Sequence, residues 1–128
     1  MMVEGLLIGH GKFPETLLEV ARSILGEITN FQIVSYEKCP PAELESKVRR
    51  VLKKLGKEEK IIFVDFYGSS GANVCNRIVE KDKKVAVICG VNLPMLIKFL
   101  RYRDRLKFNE LVKLVKKTGQ EAIKKMET

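Results

Sequence analysis

The chain has no tryptophan, one histidine, three cysteines and four prolines in 128 residues, and each shortage narrows what it does. Cys39, Cys75 and Cys89 are odd in number and widely spaced, with no CxxC pair, so neither a disulfide framework nor a zinc site is expected. Cys75 and Cys89 stand among apolar residues and read as small buried hydrophobes. No apolar run approaches the ~18 residues of a membrane span, so direct membrane insertion is not expected. The opening Met1-Met2-Val3-Glu4-Gly5 carries neither a basic segment nor a cleavage-like site. A signal peptide is therefore not expected, and the expected location is the cytoplasm.

The rest of the composition is that of a soluble globular protein, 45% hydrophobic and 31% charged. The length suits one domain over residues 1–128, able to bury its own core. The net charge of +8 is unevenly placed: residues 1–64 hold ten basic and nine acidic side chains, and residues 65–128 hold fourteen and seven. A basic half suits anionic partners, but Lys113, Lys116, Lys117, Lys124 and Lys125 fall on the solvent side of a helical pattern. No aromatic-rich basic strand accompanies them, and no nucleic-acid partner is expected.

Strand and helix patterns alternate along the chain. Val3–Ile8 is a short apolar run, broken only at Glu4 and Gly5, that ends at Gly9-His10-Gly11. Leu17, Leu18, Ala21, Ile24 and Leu25 follow at helical spacing, with Pro14 in the first turn and Gly26 at the close. Phe31–Ser35 is a second strand. Pro40-Pro41 opens a helix that presents Leu44, Val48, Val51, Leu52 and Leu55 on one face and stops at Gly56. Ile61-Ile62-Phe63-Val64 has the apolar, β-branched character of a strand covered on both faces. A third helix starts near Ser70, Val85–Ile88 is the fourth strand, and Asn92 with Pro94 opens a helix to about Leu100. The last helix is expected to carry Phe108, Leu111, Val112, Val115, Ala122, Ile123 and Met126 on one face. This order predicts an α/β fold: an open, mostly parallel four-stranded sheet with helices on both faces.

Such sheets bind ligands at the carboxyl ends of their strands, beside the switch point in strand order. His10 ends the first strand and Asp65 ends the third, and an order of 2-1-3-4 makes those strands neighbours. A carboxylate on one imidazole nitrogen fixes the tautomer and leaves the other as a nucleophile. After Asp65 comes the loop Gly68-Ser69-Ser70-Gly71, directly before a helix. Free N–H groups and serine hydroxyls there suit an anion, while the same residues also suit a simple strand-to-helix turn with a serine N-cap. The constellation favours phosphohistidine chemistry over hydrolysis, since no second base or metal cluster is visible.

The chain resembles the mannose-type IIA domain of the bacterial phosphoenolpyruvate:sugar phosphotransferase system, from the first strand to the last helix. The resemblance rests on Gly9-His10-Gly11, on Val64-Asp65 with Gly68, Ser70 and Asn73, on Arg77-Ile78-Val79, and on Gly90-Val91-Asn92-Leu93-Pro94-Met95-Leu96. It implies that His10 accepts phosphate from the histidine of the phosphocarrier HPr and passes it to a IIB domain. Asp65 would orient His10, and Ser70 with its loop would contact the phosphoryl group. It also implies a homodimer with exchanged C-terminal segments, and no metal or organic cofactor.

Two features depart from the family pattern. The loop usually reads Gly-Gly-Ser-Pro, and the missing proline is expected to loosen the helix start. The chain is also unusually basic, so the excess charge is expected to lie away from His10, because HPr presents a basic rim. The phosphotransfer subunit of dihydroxyacetone kinase uses a similar fold and an early histidine, but it lacks the Gly-Val-Asn-Leu-Pro motif. A non-catalytic regulatory domain of the same fold is a further alternative. A receiver domain phosphorylated on Asp65 needs an acidic pair after the first strand, where this chain has Gly-His-Gly.

Overall fold

The computed structural model describes residues 2–127. Met1 and Thr128, the outer limits of the expected single domain, lie outside the described residues. In chain order, β1 is Glu4–His10, α1 Phe13–Leu25, β2 Phe31–Tyr36, α2 Pro41–Leu55, β3 Lys60–Val64, α3 Ser70–Val79, β4 Val85–Cys89, α4 Leu93–Tyr102 and α5 Phe108–Glu121. The strands form one parallel sheet in the order β2-β1-β3-β4, as the alternation of elements predicts.

Burial explains the strand sequences. Every residue of β3 is buried, and so is every residue of β1 except His10; such strands need apolar side chains on both faces. Alternate residues then feed two cores. Leu7, Ile61 and Phe63 point to the layer formed with α1, α4 and α5. Leu6, Ile8, Ile62 and Val64 point to the layer formed with α2 and α3. A one-residue slip in register would exchange the two sets, so the pairing is strongly specified.

Three features differ from the sequence pattern for identifiable reasons. The last helix stops at Glu121, and the segment beyond it is non-helical, with Ile123 and Met126 83% and 82% exposed. Helical spacing continued past the point where the helix has a neighbour to pack on. Cys75 is fully buried, whereas Cys89 is only half-buried because it ends the edge strand β4. Glu4, which interrupts the first apolar run, is itself buried in β1. It faces Lys60, its register partner on β3, with 3.1 Å between Lys60 Nζ and Glu4 Oε1. That oxygen makes a charge contact and no hydrogen bond, while Lys60 Nζ also donates to the carbonyls of Gly56 and Glu58 just past α2.

A second buried charge closes the same end of the sheet. Arg103 donates from Nε to Val3 O (2.9 Å), from Nη1 to Thr29 O (2.8 Å) and from Nη2 to Asn30 O (2.6 Å). Burial pulls its pKa down to about 10, which still leaves it charged at neutral pH. One guanidinium thus joins the end of α4, the start of β1 and the turn into β2. Arg103→Met leaves three carbonyls without their charged donor and is expected to cost about 3 kcal/mol. In a thermal melt the midpoint should fall by roughly 10 °C; an unchanged midpoint would contradict this role.

Candidate functional site

The opposite, carboxyl end of the sheet gathers the reactive side chains. His10 is the last residue of β1, and Asp65 follows β3 directly. The backbone locks both: Asp65 N–H donates to Ile8 O (3.1 Å), and Gly11 N–H donates to Tyr36 O (3.1 Å). Gly9 lets α1 start close to the strand, since a Cβ there would stand 3.0 Å from Phe13 and 3.4 Å from the Asp65 Cβ. Gly11 then turns the chain at φ +54°, a left-handed conformation that favours glycine.

The two expected residues meet. His10 Nδ1 lies 2.6 Å from Asp65 Oδ2, and the same oxygen accepts the His10 backbone N–H at 3.1 Å. Asp65 Oδ1 accepts the Phe66 N–H at 3.0 Å. Three contacts therefore fix the carboxylate, and its side chain is only 11% exposed against 47% for His10. An acceptor at Nδ1 places the ring proton there and leaves the Nε2 lone pair on the opposite edge of the ring. An aspartate so engaged is poorly placed to accept phosphate itself, which argues against receiver chemistry.

Two aromatic rings that motif reading missed complete the histidine's surroundings. Tyr36 packs against it with ring centroids 4.5 Å apart, and Phe66 stacks on it at 5.5 Å. Tyr36 is the register partner of His10 in the β1–β2 pairing, so the strand order was the one available signal for it. Phe66 is the immediate neighbour of Asp65.

The four residues expected to cradle phosphate have different surroundings. Gly68 turns at φ +87° ahead of α3. Ser69 is buried and caps α3, its Oγ accepting the Ala72 N–H at 3.1 Å. Gly71 is also buried, and its N–H donates to the Tyr36 hydroxyl at 2.9 Å. Ser70 is exposed at the first position of α3, where a helix leaves its N–H groups without intrahelical partners. The turn with a serine cap and the anion-facing loop are thus compatible: Ser69 serves the first, and Ser70 is free for the second.

Cys89 lies close enough to Asp65 to feel its charge. Burial raises its pKa, and the charge of Asp65 raises it further. Burial likewise pushes Cys75 up to about 12. Both remain neutral, weakly nucleophilic thiols. The Asn92 motif has a supporting role. Asn92 Oδ1 caps α4 by accepting the Met95 N–H (3.1 Å), and its Nδ2 donates to Gly119 O near the end of α5 (3.0 Å). Arg77 bonds Glu45 across α2 and α3 and, with Arg49, lowers that carboxyl below its ordinary pKa.

A family model described as PTS system fructose IIA component matches residues 5–116. The PTS system fructose-specific EIIA component of Bacillus subtilis (strain 168) is 30% identical over 123 residues, covering 94% of this chain and 84% of that protein. The PTS system mannose-specific EIIAB component of Escherichia coli (strain K12) is 39% identical over 127 residues. That match covers 96% of this chain, which spans only 39% of that longer relative. Among solved structures, the mannose/sorbose-specific IIA subunit from Enterococcus faecalis has a TM-score of 0.89 at 24% identity, covering 100% of this chain and 97% of its own. An EIIA component from Streptococcus agalactiae gives 0.88 at 23% identity, covering 97% of each chain. At those identities the structures speak for the fold, and the sequence matches carry the assignment. The chain belongs to the fructose/mannose IIA family of the sugar phosphotransferase system.

Proposed function

We propose that this chain is a phosphohistidine carrier that accepts a phosphoryl group from HPr on His10 Nε2 and passes it to a IIB domain. The observation that carries this reading is the 2.6 Å contact between His10 Nδ1 and an aspartate that is itself held by two backbone N–H groups. In the first transfer the Nε2 lone pair attacks phosphorus. The N–P bond of the donor breaks, and its electron pair returns to the donor imidazole. Nδ1 keeps its proton throughout, so His10 gains imidazolium character that the Asp65 carboxylate stabilises in place. Transfer to the IIB domain reverses these steps. Gly68, Ser69, Ser70 and Gly71 form the phosphoryl-binding loop, with Ser70 as its exposed donor and the others fixing its shape. No metal or organic cofactor enters the scheme, and the cytoplasm is its proposed location.

The distribution of charge suits a basic donor. Residues 98–125, from the second half of α4 through the link to α5 and on to the segment after it, hold ten basic and three acidic side chains, which is most of the net positive charge. Asp65 bonds the His10 ring, and Tyr36 and Phe66 pack on it.

A homodimer belongs to the same proposal. β4 is the edge of the sheet, and a cleft of about 770 Å³ beside it is lined by Val79, Val87, Cys89, Val112 and Ile123 among others. Beyond α5 the non-helical segment exposes Ile123 and Met126, and an unpaired strand edge accepts such a segment from another copy. Deletion of residues 122–128 should convert a dimer to a monomer in sedimentation equilibrium; a monomeric intact chain would contradict it. The carrier function is tested by incubation with phosphoenolpyruvate, enzyme I and HPr. Acid-labile phosphate on the intact chain is expected, and its absence would favour a non-catalytic binding domain.

A further inference from the structure

Four helices start at the carboxyl end of the sheet, each following a strand. α1, α2 and α4 have a proline at their first or second position: Pro14, Pro41 and Pro94. α3, the one whose N-terminus follows Asp65, has Gly71 at its second position instead. Proline would preset the backbone there, whereas glycine gives it the most freedom. The looser helix start expected from this difference is countered by a contact that proline is unable to make. Gly71 N–H donates to Tyr36 Oη at 2.9 Å, in a buried setting. The fit is close on both sides, since a Cβ at position 71 would lie 3.2 Å from that hydroxyl and 3.0 Å from Ile8 Cγ2.

The tyrosine that anchors this helix is also the one packed against His10 at 4.5 Å. We infer that Tyr36 is a positioning residue for phosphoryl transfer: its ring backs the His10 imidazole, and its hydroxyl, through Gly71, holds the first turn of α3 at a fixed place relative to that ring. The inference rests on the carrier reading for its chemistry, but the mechanical linkage stands on the hydrogen bond and the ring contact. Tyr36 is buried, so a docking partner leaves it untouched, and its effect falls on the transfer step rather than on docking. A helix start held in register keeps the Ser70 donors aligned with the incoming phosphoryl oxygens, and small misplacements of such groups are costly in rate.

The test pairs Tyr36→Phe with the double variant Tyr36→Phe/Gly71→Pro. Tyr36→Phe keeps the ring contact and removes the hydroxyl. The Gly71→Pro change then removes the stranded N–H and supplies a stiff helix start of the kind that α1 and α4 use; with the hydroxyl gone, its Cβ requires only the Ile8 Cγ2 methyl, 3.0 Å away, to give by a few tenths of an ångström. Two readouts are followed. In the unphosphorylated protein, amide exchange at Gly71 and Ala72 should speed up about tenfold in Tyr36→Phe, and Ala72 should regain its protection in the double variant. In transfer from HPr, kcat should fall about tenfold in Tyr36→Phe with KM unchanged, and the double variant should recover to within about twofold of wild type. Unchanged exchange in Tyr36→Phe overturns the linkage, and it does so whether or not HPr is the donor. An undiminished kcat, a loss confined to KM, or a double variant that regains Ala72 protection without regaining kcat overturns the positioning role. Failure of the wild-type chain to take label is a separate result that removes the carrier reading, and amide exchange still decides the linkage.

Discussion

His10→Ala should carry no acid-labile phosphate after incubation with phosphoenolpyruvate, enzyme I and HPr, a loss of at least about a thousandfold in transfer rate. The size of the effect follows from the loss of the single imidazole in the chain. The thiols of Cys75 and Cys89 are held neutral, and Asp65 already accepts from His10 and Phe66. Stability should change little. The histidine side chain is half exposed, and after truncation Asp65 still accepts the backbone N–H of residue 10. A melting curve within about 1 kcal/mol of wild type, beside a complete loss of label, separates chemistry from folding. Persistent label on His10→Ala would place the phosphate elsewhere and remove the assignment.

Asp65→Asn keeps the shape of the site and should still slow transfer by about 10² to 10⁴-fold. Asparagine has one acceptor oxygen and one donor nitrogen, whereas Asp65 accepts from three N–H groups through two oxygens. If the amide nitrogen faces His10, it donates to Nδ1 and drives the ring proton onto Nε2, which removes the nucleophilic lone pair. If the amide oxygen faces His10, the tautomer survives, but the nitrogen is turned toward the Phe66 N–H and the negative charge is lost. Both orientations weaken the transition state. The expected kinetic signature is a fall in kcat with KM for HPr little changed, measured by rapid-quench transfer. Wild-type rates in Asp65→Asn would mean that the carboxylate is a structural anchor only.

The physical reach of each signal decides what the sequence made legible. The strand–helix alternation follows from local hydrophobic runs, and once the strands are taken in the order 2-1-3-4, the rule that sites gather at strand ends brings His10 to Asp65. Motif reading does not reach Tyr36, because its place beside His10 depends on register across β1 and β2 and its hydroxyl's partner, Gly71, is 35 residues away. Arg103 was hidden for the same reason, since its carbonyl partners are 73 to 100 residues distant in sequence. The end of α5 misleads in the other direction. Ala122, Ile123 and Met126 continue a helical spacing, but periodicity reports a face only where another surface covers it, and Ile123 and Met126 are largely exposed here. In the loop before α3, the composition Gly-Ser-Ser-Gly suggests four similar contributors. Hydrogen bonding instead separates Ser69, the cap, and Gly71, the anchor, from the exposed Ser70.

The central claim is that Asp65 holds Nδ1 so that Nε2 receives the phosphate. Nitrogen-15 and phosphorus-31 NMR of the chain, labelled at its single histidine and phosphorylated by HPr, reads the modified nitrogen directly. Phosphorus bonded to Nε2 is expected, with Nδ1 protonated and hydrogen-bonded to Asp65. Phosphorus on Nδ1, or on an oxygen of Asp65 or Ser70, would contradict it.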